Sequence, residues 1–302
     1  MIQDVAAMKS AHLKPKVAFL GPVGTYTHEA ALQRFGSDAE YTEAPTIAAV
    51  FKTVALGTPF GLVPQENSTF GSVVETYDFL ASPDVGQSIF VRGEIVLAVQ
   101  HCLLAPKGTK LADVKRVFSH EQALGQCGRF LSAHLPQADL VKTSSTAAAA
   151  QALVSPDATP GDAAICSSIC TSIFGLEKLC QGIQDVKTNF TRFFVVSGSL
   201  ELPLPNPQST RHSQALLRIQ ASSQNENDLP DIGKFLQVLS LPATRIDRRP
   251  DLSKAPFRSA YMVEIHRRSG HIDGAISWSS ELQNAIRRVE AENGEATLLG
   301  LW

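Results

Sequence analysis

Short apolar segments, each followed by a polar turn and then by a helical pattern, recur along the first two thirds of the chain. The first segment covers residues 17–20, breaks at the Gly-Pro-Val-Gly of residues 21–24 and continues as a helical pattern up to Phe35. Strands that alternate with helices predict an α/β fold built on mainly parallel sheets. Further strand segments cover residues 60–63, 95–104, 114–118, 140–141 and 163–166, and helical patterns cover residues 73–80 and 120–135 and begin again at 146.

The turns that follow these strands are rich in hydroxyl groups. Ser and Thr are favoured at helix N-caps, so each one taken singly is more often structural. A helix start also presents free N–H groups and a positive dipole end, which suit a carboxylate or a phosphate. Because the carboxyl ends of parallel strands gather at one edge of a sheet, several such turns together indicate a site for an anionic small molecule. The chain has no Walker loop and no Gly-x-Gly-x-x-Gly after a strand, so nucleotide binding is not indicated.

Residues 185–198 begin with polar side chains and continue as an apolar run that predicts a buried strand. Asn189, Thr191 and Arg192 stand at its start, where each needs a protein partner or a ligand, since an unpaired buried polar group costs about 1–3 kcal/mol. In a regular strand Thr191 and Phe193 share one face and Arg192 lies on the other. Thr191 and Arg192 therefore enter one pocket only if the chain turns or bulges between them. The pattern is compatible with a ligand-binding role and with a structural one in which Arg192 forms a salt bridge.

A proline-rich segment at residues 201–212 predicts a linker to a second part of the chain. Beyond it the patterns follow the order βαββαβ, which predicts a small ferredoxin-like domain over residues 213–302. In its strand over residues 261–265 the odd positions are expected to face the core. The predicted elements cover residues 215–220, 229–239, 243–248, 259–266, 272–290 and 296–301.

Composition excludes some classes of partner. The 302 residues are 44% hydrophobic and 19% charged, as in soluble globular proteins, and the net charge of −2 gives no case for nucleic acid or an anionic membrane. No apolar run is long enough to span a bilayer, and residues 1–15 are interpreted as a tail, not a secretory signal. The five cysteines, an odd number, favour reduced thiols and a cytoplasmic location. Cys166 and Cys170 are not spaced as zinc ligands, so no metal site is expected.

Four segments at the strand-to-helix junctions match a known family in order and spacing. They are Gly-Pro-Val-Gly-Thr-Tyr-Thr at 21–27, Val-Pro-Gln-Glu-Asn-Ser-Thr-Phe-Gly-Ser-Val at 63–73, Ser-His-Glu-Gln-Ala-Leu at 119–124 and Asn-Phe-Thr-Arg-Phe at 189–193. With these segments the chain resembles prephenate dehydratase from about residue 17 to residue 198. The remainder resembles the regulatory ACT domain of that family.

The resemblance implies a catalytic domain over residues 16–200 with two α/β lobes, as in periplasmic binding proteins. Lobe one would comprise residues 16–99 and 186–200, lobe two residues 100–185, and the site would lie in the cleft between them. The implied reaction is the decarboxylating dehydration of prephenate to phenylpyruvate, with release of CO2 and water, in phenylalanine biosynthesis and without a cofactor or a metal. The resemblance also implies a homodimer or homotetramer, an ACT domain at residues 213–302 and feedback inhibition by L-phenylalanine.

The resemblance assigns Thr191 to the departing hydroxyl group, and Glu66 and His120 are the titratable candidates for a stronger acid. Glu66 is equally compatible with a helix-capping role, and His120 with a structural one. Asn189 is expected to hold its loop, while Arg192 is either a partner of the pyruvyl carboxylate or structural. The neutral donors expected around the substrate carboxylates are Thr25, Asn67, Ser68, Ser144 and Ser145.

The sequence departs from the family pattern at several positions. The family usually has Ser, Ile and Pro where this chain has Thr27, Gln65 and Glu121, and Glu121 adds a charge near the expected cleft. The regulatory Glu-Ser-Arg-Pro is replaced by Asp-Arg-Arg-Pro at 247–250, and the glycine of the Gly-Ala-Leu turn is missing. Arogenate dehydratase and a non-catalytic sensor of amino acids or carboxylates are the alternatives, and the intact Thr-Arg-Phe at 191–193 favours an enzyme. The candidate phenylalanine-binding residues are Pro230, Asp231, Ile232, Asp247 and Arg249.

Overall fold

The structure, a computed structural model, describes residues 14–205, 213–221, 231–252, 254–267 and 277–302. Over these residues the chain has a mixed α/β fold with two sheets. The strands are β1 (Lys16–Leu20), β2 (Glu40–Ala44), β3 (Phe60–Asn67), β4 (Gly71–Ser72), β5 (Phe90–Ala98), β6 (Cys102–Ala105), β7 (Arg116–His120), β8 (Asp139–Thr143), β9 (Asp162–Cys166), β10 (Glu177–Gln181), β11 (Phe190–Ser197), β12 (Gln214–Ala221), β13 (Ala243–Pro250), β14 (Ser259–His266) and β15 (Gly294–Leu301). The helices are α1 (Tyr26–Phe35), α2 (Ile47–Ala55), α3 (Val74–Leu80), α4 (Glu121–Gln126), α5 (Gly128–His134), α6 (Thr146–Ala152), α7 (Cys170–Phe174), α8 (Ile232–Leu239) and α9 (Trp278–Ala291).

The two sheets belong to two lobes that the chain enters in turn. In the described part of the chain the larger sheet has the strand order β13-β14-β12-β15-β5-β11-β3-β1-β2, with β4 beside β3. The smaller sheet has the order β10-β6-β9-β7-β8. The chain crosses from lobe one to lobe two after β5 and returns in β11, so the two crossings lie side by side.

In each lobe three strands pair in parallel, and further strands pair with them antiparallel. The strand β1 is parallel to β2 and β3, and β7 is parallel to β8 and β9. By contrast β6, β10 and β11 are antiparallel to their partners in residues 16–200. The expectation of mainly parallel sheets is therefore wrong for the strands near the lobe crossings, because a chain that returns to its first lobe runs back along the sheet.

Hydroxyl side chains cap several of the helices that follow the strands. The hydroxyl oxygen of Thr25 accepts a hydrogen bond from His28 N at 3.3 Å, and that of Ser145 accepts one from Ala148 N at 3.0 Å. Thr46 caps α2 in the same way. Such caps contribute about 1 kcal/mol each. Part of the hydroxyl content of these turns therefore serves the helices themselves.

Buried side chains cover both faces of the lobe-one sheet. Phe19 and Phe193 pack with α1 on one face, while Val63 and Phe194 pack with α2 and α3 on the other. Since Phe193 and Phe194 are consecutive in β11 and fully buried on opposite faces, β11 runs through the centre of this lobe. The first residues of β11 are therefore continuous with a strand segment that is buried on both faces.

The C-terminal strands and helices have the predicted order βαββαβ and form the far end of the larger sheet. Val263 and Ile265 pack against α8 and α9, as expected for the odd positions of this strand. Met262 is buried too, in the same cluster as Tyr77 of α3, so the other face of these strands packs on lobe one. At the junction Gly300 pairs with Val91 of β5, and a Cβ atom at Gly300 would stand only 2.3 Å from the Val91 carbonyl oxygen.

Several predicted boundaries differ from the structure. The single strand predicted over residues 95–104 is wrong, because β5 ends at Ala98 and β6 begins at Cys102. Val99 and His101 between them are buried like strand residues, although Gln100 and His101 interrupt the apolar run at the break. The helical pattern at 120–135 is two helices that meet at Cys127, and β2, α2 and β10 occupy stretches for which no element was predicted. The predicted helix starts at residues 229 and 272 and the N-terminal residues 1–13 lie outside the described residues.

Candidate active site

A cleft of about 470 Å³ lies between the two lobes. Its walls are the turns after β1, β3, β7 and β8 and the first residues of β11. The helices α1, α4 and α6 begin at these walls, so their first N–H groups and positive dipole ends lie at the cleft. The residues predicted for the site that line this cleft are Thr25, Asn67, His120, Ser144, Ser145, Asn189 and Thr191.

The cleft is polar without being charged. Among the described residues that line it, none is Lys, Arg, Asp or Glu. The lining consists of hydroxyl, amide and imidazole groups together with apolar side chains such as Phe70, Val99 and Phe193. This arrangement suits an anionic molecule with a hydrophobic ring, held by neutral donors and helix starts rather than by an ion pair.

Asn67 fixes the position of Thr191. The Asn67 amide nitrogen donates to Asn189 Oδ1 at 2.8 Å and to Thr191 Oγ1 at 3.0 Å. The two strands place Thr191 directly opposite Asn67 in the register of β11 against β3. Because the Thr191 oxygen accepts from Asn67, its own hydrogen can be donated to a molecule in the cleft.

Arg192 and Glu66 lie on the opposite face of the same two strands. Arg192 pairs with Glu66 in the register, and its guanidinium group lies 3.5 Å from Glu66, 3.6 Å from Glu94 and 3.4 Å from Glu264. The register shift in β11 comes only after Arg192, so Thr191 and Arg192 are still consecutive residues of a regular strand. Their side chains therefore point to opposite faces, as strand alternation predicts. Of the alternatives that the sequence left open, direct contact of Glu66 or Arg192 with a ligand in the cleft does not fit this geometry, whereas a structural salt bridge of Arg192 does.

Ser68 also serves the protein rather than the cleft. Its hydroxyl group donates to Thr188 O at 3.1 Å and accepts from Phe190 N at 2.9 Å. These bonds fasten the turn after β3 to the start of β11. The prediction that Ser68 binds substrate does not fit this geometry, because Ser68 is not among the residues that line the cleft and its only hydroxyl hydrogen is donated to Thr188 O.

His120 caps α4 and faces the cleft. Its Nδ1 accepts a hydrogen bond from Gln122 N at 3.3 Å, which leaves Nε2 as the nitrogen that carries a proton. The neighbouring Glu121 is exposed and forms a salt bridge of 2.5 Å with Lys142. The Lys142 ammonium group holds the pKa of Glu121 below its usual value, so this carboxylate adds charge to the surface of lobe two and not to the cleft.

Tyr26, His101 and Gln126 line the cleft as well, and sequence reasoning missed all three. The Tyr26 hydroxyl lies 2.7 Å from His101 Nδ1, and His101 Nε2 lies 2.5 Å from Gln126 Oε1. Burial lowers the pKa of His101 and so favours the neutral ring, and the bond to Gln126 only partly offsets this. With Nε2 donating to Gln126, Nδ1 accepts from Tyr26. The signal in the sequence was a histidine inside an apolar run, which marks the lobe crossing.

Two further contacts join the start of α1 to lobe two. Ser167 donates to Glu29 Oε2 at 2.7 Å, and the Cys170 thiol lies 3.3 Å from Gly24 O. Burial raises the pKa of Glu29, and the bond from Ser167 offsets only part of that rise. These contacts hold the first turn of α1 against lobe two at the base of the cleft.

The candidate regulatory residues are distributed over two places. Asp231 caps α8 by accepting from Lys234 N at 3.1 Å, and Ile232 packs on the core between α8 and the sheet. Asp247 accepts from Arg245 and Ser72, whereas Arg249 forms a 2.5 Å salt bridge with Asp78 and lines a cavity of about 820 Å³ between β13 and α3. Pro230 lies outside the described residues. Within one chain, Asp231 and Ile232 do not line the cavity that Arg249 lines.

Over the described ranges no group of three or more His, Cys, Asp or Glu side chains is arranged to hold a metal ion. None of the helices described is long and apolar enough to cross a membrane. All five cysteines are free thiols, and four of them are buried.

A two-lobed α/β unit with a cleft between the lobes is the fold of periplasmic binding proteins, here followed by a βαββαβ unit. The chain belongs to the prephenate dehydratase family, since the family model matches residues 17–199. It is 31% identical over 95% of its length to a prephenate dehydratase from Mycolicibacterium vanbaalenii and covers 91% of that protein.

Two further relatives support this assignment. Over 79% of its length the chain is 40% identical to a bifunctional chorismate mutase/prephenate dehydratase from Pseudomonas aeruginosa, and it spans only 62% of that protein. The solved prephenate dehydratase from Arthrobacter aurescens, in complex with L-Phe, superposes with a TM-score of 0.75 at 28% identity. That match covers 95% of this chain and 89% of the other.

Proposed function

We propose that the protein is a prephenate dehydratase that converts prephenate to phenylpyruvate, CO2 and water in the biosynthesis of L-phenylalanine. The observation that carries this proposal is the Thr191 hydroxyl, held by Asn67 in a cleft whose described lining has no charged Lys, Arg, Asp or Glu side chain. A hydroxyl donor in a neutral site suits a substrate that must lose both a hydroxyl group and a carboxylate.

The reaction consumes one proton and needs no change of oxidation state at the protein. The bond between the ring and its carboxylate breaks, the electron pair enters the ring, and the bond to the ring hydroxyl breaks as the ring becomes aromatic. Thr191 donates a hydrogen bond to the departing oxygen, where negative charge develops. Because only interactions that strengthen in the transition state accelerate the reaction, an ion pair on the leaving carboxylate would slow it.

The departing hydroxide takes up the one proton that the reaction consumes, and a side chain in the cleft can assist by donating a hydrogen bond to the leaving oxygen. His120 is the titratable side chain of the sequence prediction that lines the cleft, whereas Glu66 lies on the opposite strand face. We assign His120 Nε2–H as a hydrogen-bond donor to the departing oxygen, and the proton itself comes from solvent water, because a ring whose Nδ1 accepts from Gln122 N would become an imidazolate if it lost the Nε2 proton. The pyruvyl carboxylate then lies against the first turns of α1 and α6, near Thr25, Ser144 and Ser145.

We further propose that residues 16–200 are the catalytic domain and that residues 213–302 are an ACT domain that binds L-phenylalanine and regulates the enzyme. The βαββαβ order and the L-Phe complex of the Arthrobacter aurescens protein support this. Since Asp231 and Arg249 lie apart within one chain, the site would form between the C-terminal units of a homodimer or homotetramer. The free thiols support a cytoplasmic location.

The test is to mix the purified protein with prephenate and follow phenylpyruvate by its ultraviolet absorbance. Parallel reactions with arogenate, with phenylalanine as the product, decide between the two substrates. A folded protein that forms neither product but binds either compound would be a sensor instead. Titration of L-phenylalanine during the prephenate assay tests regulation, and unchanged activity, oligomer size and thermal midpoint would contradict it.

A further inference from the structure

Seven side chains form a closed ring of polar contacts between lobe one and the C-terminal strands. They come from β3, α3, β11, β13 and β14, so the ring joins strands that are far apart in sequence. The members of this polar ring are Gln65, Glu66, Tyr77, Arg192, Arg245, Asp247 and Glu264.

One half of the polar ring is built on the Gln65 amide. Its nitrogen donates to Glu264 and, at 3.1 Å, to the Tyr77 hydroxyl, and Tyr77 in turn interacts electrostatically with Asp247. Gln65 is 0% and Tyr77 1% exposed, so water cannot replace these contacts. Sequence reasoning noted Gln65 only as a departure from the family's Ile, and the structure gives it a partner on β14.

The other half is built on two guanidinium groups. Arg245 donates from Nε to Asp247 at 2.5 Å and from Nη1 to Glu66. Arg192 lies 3.5 Å from Glu66 and 3.4 Å from Glu264, which closes the ring. A partly buried charge that loses its partner destabilises the protein strongly. Each arginine is therefore expected to stay between its two carboxylate partners and to hold both of them in place.

Arg245 also reaches the wall of the cleft. Its Nη2 donates to Ser72 Oγ at 2.8 Å, so one guanidinium group holds Glu66 and Ser72, the two ends of the turn between β3 and β4. Between those ends lie Asn67 and Phe70, which line the cleft. Asn67 is the residue that donates to Thr191.

We propose that Arg245, a residue of the C-terminal strands, is a positioning residue for the active site, because it fixes the turn that carries Asn67 and thereby orients Thr191. This inference rests on the proposed dehydratase function. By this inference β13 supports the active site whether or not a regulatory ligand is bound to residues 213–302. Lysine at this position would not replace arginine, since a single ammonium group lacks the planar fork that reaches Asp247, Glu66 and Ser72 together.

The experiment compares Arg245→Gln with Asp78→Asn in the full-length protein. Asp78→Asn is a matched control, because it removes the Arg249–Asp78 ion pair between the same two parts of the chain without touching the polar ring. We expect Arg245→Gln to lower kcat about tenfold or more with KM changed less than about threefold, since loss of alignment affects the chemical step. We expect Asp78→Asn to keep kcat within about twofold of the wild type.

A second readout does not depend on activity. Hydrogen exchange of the backbone over residues 66–73 should be faster in Arg245→Gln than in the wild type and unchanged in Asp78→Asn. If Arg245→Gln does not fold, Ser72→Ala replaces it, with an expected loss of about threefold in kcat and the same faster exchange. Wild-type kcat and wild-type exchange in the folded variant would overturn the inference. An inactive wild type would contradict the proposed function instead, and the exchange comparison would still decide whether Arg245 holds the turn.

Discussion

The amide nitrogen of Asn67 lies 3.0 Å from the hydroxyl oxygen of Thr191. The amide cannot turn over to present its oxygen, because Asn67 Oδ1 accepts from the backbone N–H groups of Thr69 at 2.9 Å and Phe70 at 3.2 Å. The Thr191 oxygen is therefore an acceptor toward Asn67, and its hydrogen is directed elsewhere. This pair gives the cleft a hydroxyl donor of defined orientation.

Thr191→Val keeps the shape of the side chain and removes this donor. We expect kcat to fall about 10²–10³-fold with little change in KM, the usual effect of removing one hydrogen bond to a developing oxyanion. Thr191→Ser is the matched control, since it keeps the hydroxyl, and it should retain most of the activity. Rates of phenylpyruvate formation check this, and a Thr191→Val enzyme as fast as the wild type would remove Thr191 from the mechanism.

Gly24→Ala should weaken the contact between the lobes. Gly24 has φ = +94°, and a Cβ atom there would stand 2.9 Å from the Cys170 sulfur. Gly57→Ala is the control, because its φ of +106° imposes the same backbone strain with no neighbour within 4 Å. We expect both variants to lose about 1–3 kcal/mol of stability from strain, and Gly24→Ala alone to lose activity as well. Equal activities of the two variants would show that the Gly24–Cys170 contact does not shape the cleft.

His101 should make the stability of the protein fall in mild acid. Burial lowers its pKa in the folded state, so as the pH falls below the ordinary value of 6.5 the unfolded chain takes up a proton before the folded one does. The thermal midpoint of His101→Gln should therefore change less between about pH 7 and pH 5 than that of the wild type. His134→Gln, at an exposed position on α5, should keep the wild-type pH dependence. A His101→Gln curve parallel to the wild-type curve would contradict the neutral assignment.

Glu264 should have the opposite effect. Burial raises its pKa, Arg192 and Arg245 lower it in part, Glu94 raises it further, and the Gln65 amide lowers it. The neutral form of Glu264 is more favourable in the folded chain than in the unfolded one, so its contribution to stability is full below the ordinary value of 4.5 and is lost as the pH rises through the folded-state pKa.

The Glu264→Gln variant lacks this titration. The difference between its thermal midpoint and that of the wild type should therefore rise steadily as the pH increases from 4.5. Glu121→Gln, whose exposed carboxylate is paired with Lys142 and has a lowered pKa, should show no such rise. A constant difference for Glu264→Gln would mean that Arg192 and Arg245 fully compensate the burial of the carboxylate.

The cleft could be predicted from sequence because its residues stand where strands end. Thr25, Asn67 and Ser145 each follow a short apolar run, and the topology of an α/β lobe brings such positions together. Strand alternation also predicted that the side chains of Thr191 and Arg192 lie on opposite faces of the strand. Strand alternation alone could not show which of the two enters the cleft, because that depends on where lobe two lies; the resemblance to the family is what assigned that place to Thr191.

The polar ring was outside the reach of sequence reasoning. Glu66 and Arg192 are charged and each stands next to a cleft residue in the sequence, a position that indicates ligand binding. Their partners Arg245 and Glu264 lie more than 50 positions away in the chain. No local pattern encodes a contact between strands so distant. For the same reason the contact between Tyr26 and His101, which joins residues on either side of the lobe crossing, could not be predicted from sequence.

The pairing of Gly300 with Val91 has a consequence for how the protein is made. The last described strand, β15, lies next to β5 in the sheet, and the ring residues Arg245 and Glu264 are synthesised long after Glu66. Until residues 213–302 have been synthesised and have left the ribosome, the face of lobe one that carries Tyr77 and Leu80 is uncovered and Glu66 lacks Arg245. The nascent chain therefore exposes an apolar surface until β12 to β15 have emerged, and a chaperone that binds apolar segments would find its target there.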